Sequence, residues 1–376
     1  MRIAIVAESF LPQINGVTNS VLRVAEQLRR EGHELLIIAP DDPRGVPSSW
    51  QGTPIITVAS LPMPGYHQVR IAATHSARMR HLLADFAPDV VHVAAPLVLG
   101  SAALAAAKKL GIARVALFQT DLPGYLSRYL IPAGEPMAWR IMRRIHGLAT
   151  LTLAPSTATR QRLVDHGIAP VSLWGRGVDT ERFDPRRRDE ALHHRWAPQG
   201  QCVVGYLGRL APEKSVDRLS AVQGLDGVRL VVVGEGPLAA TLRDRLPDAV
   251  FTGAVHGAQV ARHMASFDVF VHPGELETFG QTLQEAGACA VPVVAPRVGG
   301  PIDIVRAGYT GLLYPPGDVR ALRAQVAALA ADPIRRGHLG EAARSAMACR
   351  TWQALTAQLV EHYRTAIRLN GDSDGH

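Results

Sequence analysis

Cysteine is scarce in this chain, with three in 376 residues, and Cys202, Cys289 and Cys349 stand far apart. An odd, scattered set supports neither a disulfide framework nor a zinc site and fits a reducing cytoplasm. Long apolar runs are also missing. No stretch approaches the roughly 20 uncharged residues of a membrane-spanning helix, so a soluble or peripheral protein is expected. The opening Met1-Arg2-Ile3-Ala4-Ile5-Val6-Ala7-Glu8 is too short and too soon charged for a signal-peptide core, and reads as a first strand. Aromatic residues make up only 5%, and no basic stretch is interleaved with them. Stacking platforms beside cations, which single strands need, are thus missing, and no nucleic-acid partner is expected.

What is present describes a folded chain of two ordinary domains. The length exceeds one small core, hydrophobic residues reach 47%, and the 34 Gly and 26 Pro are spread rather than clustered. The net charge of +7 favours an anionic partner, either nucleotide phosphates or an anionic membrane surface.

Short β-rich runs alternate with helical patterns throughout, the arrangement of parallel sheets covered by helices in an α/β fold. The strands expected are Ile3–Val6, Glu34–Ala39, Ile55–Val58, Val90–Val93, Ala113–Leu117 and Leu151–Ala154. A second series follows at Val203–Leu207, Arg229–Val233, Val250–Thr252, Val269–His272, Val293–Ala295 and Gly311–Tyr314. After the first strand, Val17, Val21, Val24, Ala25 and Leu28 recur at helical spacing while Arg23, Glu26, Gln27 and Arg30 fall elsewhere, so an amphipathic helix lies on the sheet. Between the two series, Phe183–Gln201 carries Pro185, the run Arg186-Arg187-Arg188 and few apolar residues. It reads as an exposed connection with the boundary near residue 195. Two doubly wound sheets facing each other would leave a cleft at the carboxyl ends of their strands.

The most informative stretch runs from His272 to Gly300, passing from strand through a turn into helix. Glu277 and Glu285 flank seven residues. If the helix starts near Phe279, they lie about 12 Å apart along it and about 80° apart around it. Backbone N–H groups of Thr278, Phe279 and Gly280 would form an anion site suited to a diphosphate, with Gly280 permitting close approach. Read alone, the two acids could equally be a first-turn acid and a solvated helix residue.

A second block, Gly205-Tyr206-Leu207-Gly208-Arg209-Leu210-Ala211-Pro212-Glu213-Lys214-Ser215, leaves a strand and turns into a helix. A third, Val231-Val232-Val233-Gly234-Glu235-Gly236-Pro237-Leu238-Ala239, matches Gly-x-Gly-x-x-Ala and invites a dinucleotide reading, hence an NAD-dependent oxidoreductase. That reading wants an acid ending the next strand. Val250–Thr252 leads instead into Gly253-Ala254-Val255-His256. In the first half, the long loop Ser9-Phe10-Leu11-Pro12-Gln13-Ile14-Asn15-Gly16-Val17 brings Gly16 to a helix start, where such a loop can close over phosphates or a sugar.

These blocks resemble the retaining family 4 glycosyltransferases. The Glu-x7-Glu spacing of Glu277 and Glu285 is similar to that family's signature, together with Gly280, Glu285-Ala286, Pro292-Val293-Val294-Ala295 and Gly299-Gly300. Pro12-Gln13-x-Asn15-Gly16-Val17, Phe118–Tyr125 and Trp174–Phe183 resemble a subgroup acting on lipid acceptors, including bacterial GDP-mannose-dependent α-mannosyltransferases and sulfoquinovosyl- or glucuronosyl-lipid synthases. The resemblance covers nearly the whole chain. It implies a GT-B fold of two Rossmann-like domains facing across a cleft: an acceptor domain, 1–195, and a nucleotide-sugar domain, 196–355. A C-terminal helix, 356–370, would cross back to the first domain, and 371–376 would be a flexible tail.

The resemblance also implies roles. Glu277 would meet donor-sugar hydroxyls, Glu285 the ribose hydroxyls, and Arg209 and Lys214, beside Gly208, the diphosphate. Val255 and His256 would lie near the base. Many family members have a histidine where this chain has Gln119, and Gln cannot titrate, so no acid–base role carries over. Asp121 either takes part of that task or is a turn acid. Retention in the family is explained by front-face attack, in which the leaving phosphate takes the acceptor proton. The donor is then a nucleotide-diphosphate sugar, most simply GDP-mannose with a UDP-sugar as the alternative, and no resident cofactor is needed. Metal independence is expected, since Arg209 and Lys214 can replace a cation and the one Asp-x-Asp, Asp372 with Asp374, sits in the tail. Arg70, Arg78, Arg80 and His81 around one helical stretch, and Trp139–Arg144 on another, are candidate contacts with an anionic membrane surface near a lipid or lipid-linked acceptor.

Overall fold

The computed structural model describes residues 1–63, 66–72, 74–121, 123–124 and 134–373. Leu122, Tyr125 and Asp374, singled out above, lie outside the described residues, as do the last two residues of the tail. The chain divides into two compact units: Met1–Arg176 with Trp352–His376, and Gly177–Thr351.

The first unit contains β1 (Arg2–Ala7), α1 (Gly16–Arg30), β2 (Glu34–Pro40), β3 (Ser49–Trp50), β4 (Thr53–Val58), β5 (Ser60–Met63), β6 (Tyr66–Ala72), α2 (Ser76–Phe86) and β7 (Val90–Ala94). It continues with α3 (Val98–Lys109), β8 (Ala113–Leu117), α4 (Gly134–His146), β9 (Leu151–Ala154), α5 (Thr157–Asp165) and β10 (Val171–Leu173). Its main sheet runs β10-β9-β8-β7-β1-β2-β4-β3 and is parallel except for the β3–β4 pair. Strand alternation explains the near-continuous apolar runs. Ile3, Ile5 and Ala7 of β1 enter one core with Val21, Val24 and Leu28 of α1, whereas Ala4 and Val6 enter another with Leu99 and Leu104 of α3. The β5–β6 hairpin was not foreseen, and Arg70 lies on β6 rather than on the helix that carries Arg78, Arg80 and His81.

The second unit contains α6 (Glu190–Trp196), β11 (Cys202–Leu207), β12 (Val228–Val233), α7 (Ala239–Arg245), β13 (Val250–Gly253), α8 (Ala258–Ala265) and β14 (Val269–Val271). After these come α9 (Gln281–Ala288), β15 (Val293–Pro296), α10 (Pro301–Ile304), β16 (Gly311–Tyr314), α11 (Val319–Ala331) and α12 (Pro333–Met347). Its wholly parallel sheet runs β13-β12-β11-β14-β15-β16. Both sheets are thus the doubly wound α/β arrangement expected.

Three expectations about the connections need correction. The chain passes between units at Arg176/Gly177, not near residue 195. The stretch Phe183–Gln201 is no exposed connection: Phe183, Leu192 and Trp196 are buried in the second unit's core, and Arg188 reaches Asp268 at 3.0 Å. Three well-spaced large residues suffice to anchor it, although the sequence around them is polar. Helix α13 (Trp352–Ser373) runs on through Gly371–Ser373, which were expected to begin a loose tail.

Helix α13 clusters with the first unit. Leu359, Val360, Tyr363 and Ala366 join the core beneath α1 and β1. The Tyr363 hydroxyl meets His92 Nδ1 at 2.6 Å, Asn370 bonds Arg114 and the Gly111 carbonyl, and Trp174 Nε1 donates to the Leu355 carbonyl. Burial pushes the His92 imidazole down to about 3, so it meets the hydroxyl as a neutral group.

Candidate active site

In the second unit the strand order reverses at β11, whose neighbours β12 and β14 lie on opposite sides. Ligands of open α/β sheets bind at the carboxyl ends of strands where such a reversal occurs. The loops leaving β11 and β14 there carry the residues that the sequence singles out. Lys214 Nζ, from the β11 loop, meets Glu277 Oε2, from the β14 loop, at 2.7 Å. Arg209 is largely exposed and only loosely held, 3.7 Å from the buried Glu213. Its carbonyl accepts from the Tyr206 hydroxyl, which steadies the turn under it.

Glycines let these two loops pack against their neighbours. A Cβ on Gly234 would lie 1.9 Å from the Gly208 carbonyl oxygen, and one on Gly236 would lie 2.3 Å from that of Leu210. Backbone bonds from Gly208 N–H to Val233 O and from Leu210 N–H to Glu235 O complete the clamp. The Gly-x-Gly turn therefore serves the backbone on either side of Arg209, which accounts for it without a dinucleotide. Gly299 and Gly300 do the same for the other loop: their Cβ positions fall 2.6 Å from Glu277 O and 2.0 Å from Phe279 O, and Gly300 N–H donates to Glu277 O.

Helix α9 starts at Gln281, later than the expected Phe279, with Gly280 as its left-handed cap. Glu277 is thus a loop residue, and the ideal-helix relation between Glu277 and Glu285 does not hold. The N–H groups of Thr278, Phe279 and Gly280 belong to the loop leading into the helix, and the first helical ones are those of Gln281 and Thr282. Lys214 likewise ends a 3-10 turn, Pro212–Lys214, followed by a second 3-10 segment, Val216–Val222, where a helix was expected.

Glu285 lies on α9. Burial pushes its carboxyl up to about 7, opposed by the attraction of Arg182 and a hydrogen bond from Gln281. Arg182 also donates to the Gly257 carbonyl, next to Val255 and the exposed His256, and so ties that loop to the Glu285 side of the unit.

Several contributors escape a reading of the sequence. Glu275 pairs with Arg218 and accepts from Gly317 N–H, bracing the Glu277 loop. His272 is 3% exposed, with Nε2 3.5 Å from Glu277 Oε2 and neither ring nitrogen hydrogen-bonded. Burial pushes its imidazole down to about 4, with Glu277 attracting and Lys214 repelling its proton. His272 and Arg182 lie inside motif segments but were given no role there, Arg218 lies outside them, and only the three-dimensional pairing reveals what each does.

The remaining expected residues belong to the first unit. Gly16 begins α1, where Asn15 caps the helix by accepting from Val17 and Thr18 N–H. A Cβ at Gly16 would lie 3.2 Å from an Arg176 guanidinium nitrogen. Gln119 follows β8, its amide reaching Ser20 Oγ at 3.4 Å while its Oε1 is buried without a partner. Asp121 is buried, accepts from Gly124 N–H and pairs with Arg162 at 2.6 Å. Both contacts are of the kind a turn acid makes. Among the described residues no three His, Cys, Asp or Glu side chains are grouped to hold a metal ion, and no helix is long and apolar enough to cross a membrane.

The chain matches the family models Glycosyltransferase Family 4 over residues 14–182 and Glycosyl transferases group 1 over residues 189–346. A GDP-mannose-dependent alpha-mannosyltransferase of Mycobacterium tuberculosis is 47% identical over 98% of this chain and 97% of its own length. Sulfoquinovosyl transferase SQD2 of Arabidopsis thaliana is 34% identical over 97% of this chain and 74% of its own. In fold, the sucrose-phosphate synthase of Thermosynechococcus elongatus superposes with a TM-score of 0.79 at 19% identity, covering 97% of this chain and 98% of that one. The oxidoreductase reading falls with these matches. A Glu-x7-Glu pair, a lysine set on its first carboxylate and two Rossmann-like sheets are therefore the parts of a GT-B enzyme, and the chain belongs to the family 4 glycosyltransferases.

Proposed function

We propose that the chain is a retaining α-mannosyltransferase that takes mannose from GDP-mannose and delivers it to a lipid or lipid-linked acceptor at the cytoplasmic face of the membrane. The observation that carries this reading is the junction of the β11 and β14 loops, where Lys214, Arg209 and Glu277 gather at the strand reversal. The donor is inferred from the 47% identical relative named for GDP-mannose.

Arg209 and Lys214 hold the diphosphate and stabilise the charge that grows on it as the sugar departs. Glu277 accepts from sugar hydroxyls and Glu285 from the ribose pair, with Val255 and His256 beside the base. The leaving phosphate takes the acceptor's proton, so Gln119 need only donate a hydrogen bond, and two side-chain cations make a metal unnecessary. Gly16 in the first unit admits Arg176 beside the start of α1. The exposed face of α4, with Met137, Arg140, Ile141 and Arg144, suits an anionic lipid surface.

A UDP-sugar donor is the second reading, kept open by the 34% identity to a relative named for sulfoquinovosyl rather than mannosyl transfer. Thermal protection measured with GDP-mannose and UDP-glucose separately divides the two, and protection by UDP-glucose alone overturns the mannosyl reading. Mass spectrometry of products formed on a membrane lipid extract identifies the acceptor.

A further inference from the structure

We propose that His272 is a positioning residue that takes over the Glu277 carboxylate when Lys214 turns to the donor diphosphate. The inference rests on the proposed roles of Lys214 and Glu277.

Lys214 and His272 converge on one atom. Lys214 Nζ lies 2.7 Å and His272 Nε2 3.5 Å from the same Glu277 Oε2. The lysine side chain is 31% exposed and the glutamate 14%. Of the three groups, the lysine is the flexible one, a point charge on a four-carbon stem. Glu277 is fixed by its loop, since Gly300 N–H donates to its carbonyl. His272 is fixed by the sheet, its N–H donating to Val294 O at the end of β14.

A diphosphate competes with Glu277 for Lys214. Once the lysine leaves, a largely buried carboxylate oxygen, Glu277 Oε2, has lost a cation held at 2.7 Å. His272 stands ready to replace it. A shift of about 0.5 Å brings Nε2–H into hydrogen-bond range of Oε2, and the neutral ring provides that donor as the Nε2–H tautomer. Room exists because residue 274 is glycine: a Cβ there would lie 3.2 Å from His272 Nε2. The exchange also accounts for a ring nitrogen, Nε2, buried without a hydrogen bond, an arrangement proteins seldom keep without a use for it. No proton is transferred. Glu277 stays aimed while Lys214 changes partner.

The test uses the full chain with His272→Leu, which keeps bulk without a donor, and His272→Gln, whose amide nitrogen reaches about where Nε2 stands. With GDP-mannose and a membrane lipid extract, His272→Leu should lower kcat by about tenfold or more while the GDP Kd stays within about threefold, and His272→Gln should recover most of the loss. Nitrogen NMR of histidine-labelled wild-type protein adds a readout independent of folding variants. The His272 Nε2–H signal should move downfield on adding GDP, and Lys214→Ala should show that position without nucleotide. Unchanged kcat in His272→Leu, equal impairment of both variants at matched thermal stability, or a signal indifferent to GDP and to Lys214→Ala would each overturn the inference. Glu277→Ala separates the two levels. Full transfer by Glu277→Ala removes the proposed site itself, whereas loss there with wild-type behaviour in His272→Leu removes only this role.

Discussion

Replacing Glu285 by glutamine should make the protein more stable and poorer at holding its donor. Burial raises this carboxyl from 4.5 to about 7. Between those values the folded chain keeps a proton that the unfolded chain has released, so stability falls as pH rises through that window. Below about pH 4.5 the penalty is absent, and above about pH 7 it is complete. A displacement of that size corresponds to about 3 kcal/mol, and the part of the side chain open to solvent reduces this to about 1–3 kcal/mol. Glutamine keeps the shape without the charge. Each kcal/mol moves the unfolding midpoint of a domain of this size by roughly 2–4 °C. Thermal unfolding of both proteins should then show the variant about 2–10 °C higher at pH 8, with the gap closing toward pH 5. GDP titration should show binding about 10- to 100-fold weaker, since hydroxyl groups lose a charged acceptor. A variant less stable than the wild type at pH 8, or a gap independent of pH, would refute the reasoning.

Three further outcomes are expected. Arg209→Ala and Lys214→Ala should each lower kcat by about 10²–10³ with thermal stability little changed, measured by steady-state transfer from GDP-mannose. Gly300→Ala sets a methyl group against the Phe279 carbonyl oxygen, 2.0 Å away, so its loop must shift. GDP binding should weaken by about tenfold or more by calorimetry. Tyr363→Phe strips buried His92 of its 2.6 Å partner, and denaturant unfolding should show a loss of about 1–3 kcal/mol.

The sheets were legible because their strands are buried on both faces. Runs such as Ile3–Val6 and Val203–Leu207 need no long-range information to be recognised. The glycine pairs were legible as motifs but not in purpose, which lies in backbone segments distant in sequence, Gly208–Leu210 and Glu277–Phe279. The start of α9 was placed two residues early, because the cap is Gly280 at φ +99°, a left-handed position that the pattern of side chains does not mark. Phe183–Gln201 was misread because the partners of its charges, Asp268 for Arg188 and Arg344 for Asp184, come from far along the chain. His272 stood at the head of the most informative stretch, but its role was not legible, since it depends on where Lys214 and Glu277 meet.

The placement of α13 bears on how the chain is made. The second unit is one continuous segment, Gly177–Thr351, whereas the first consists of Met1–Arg176 and the final helix. A ribosome releases the second unit's whole sequence before it releases Leu359, Val360 and Tyr363, which seal the first unit's core. The unit begun first is therefore the last that can be completed. Until α13 is made, the apolar face that it shares with α1 is only partly covered, and the newborn chain is exposed to aggregation over that interval.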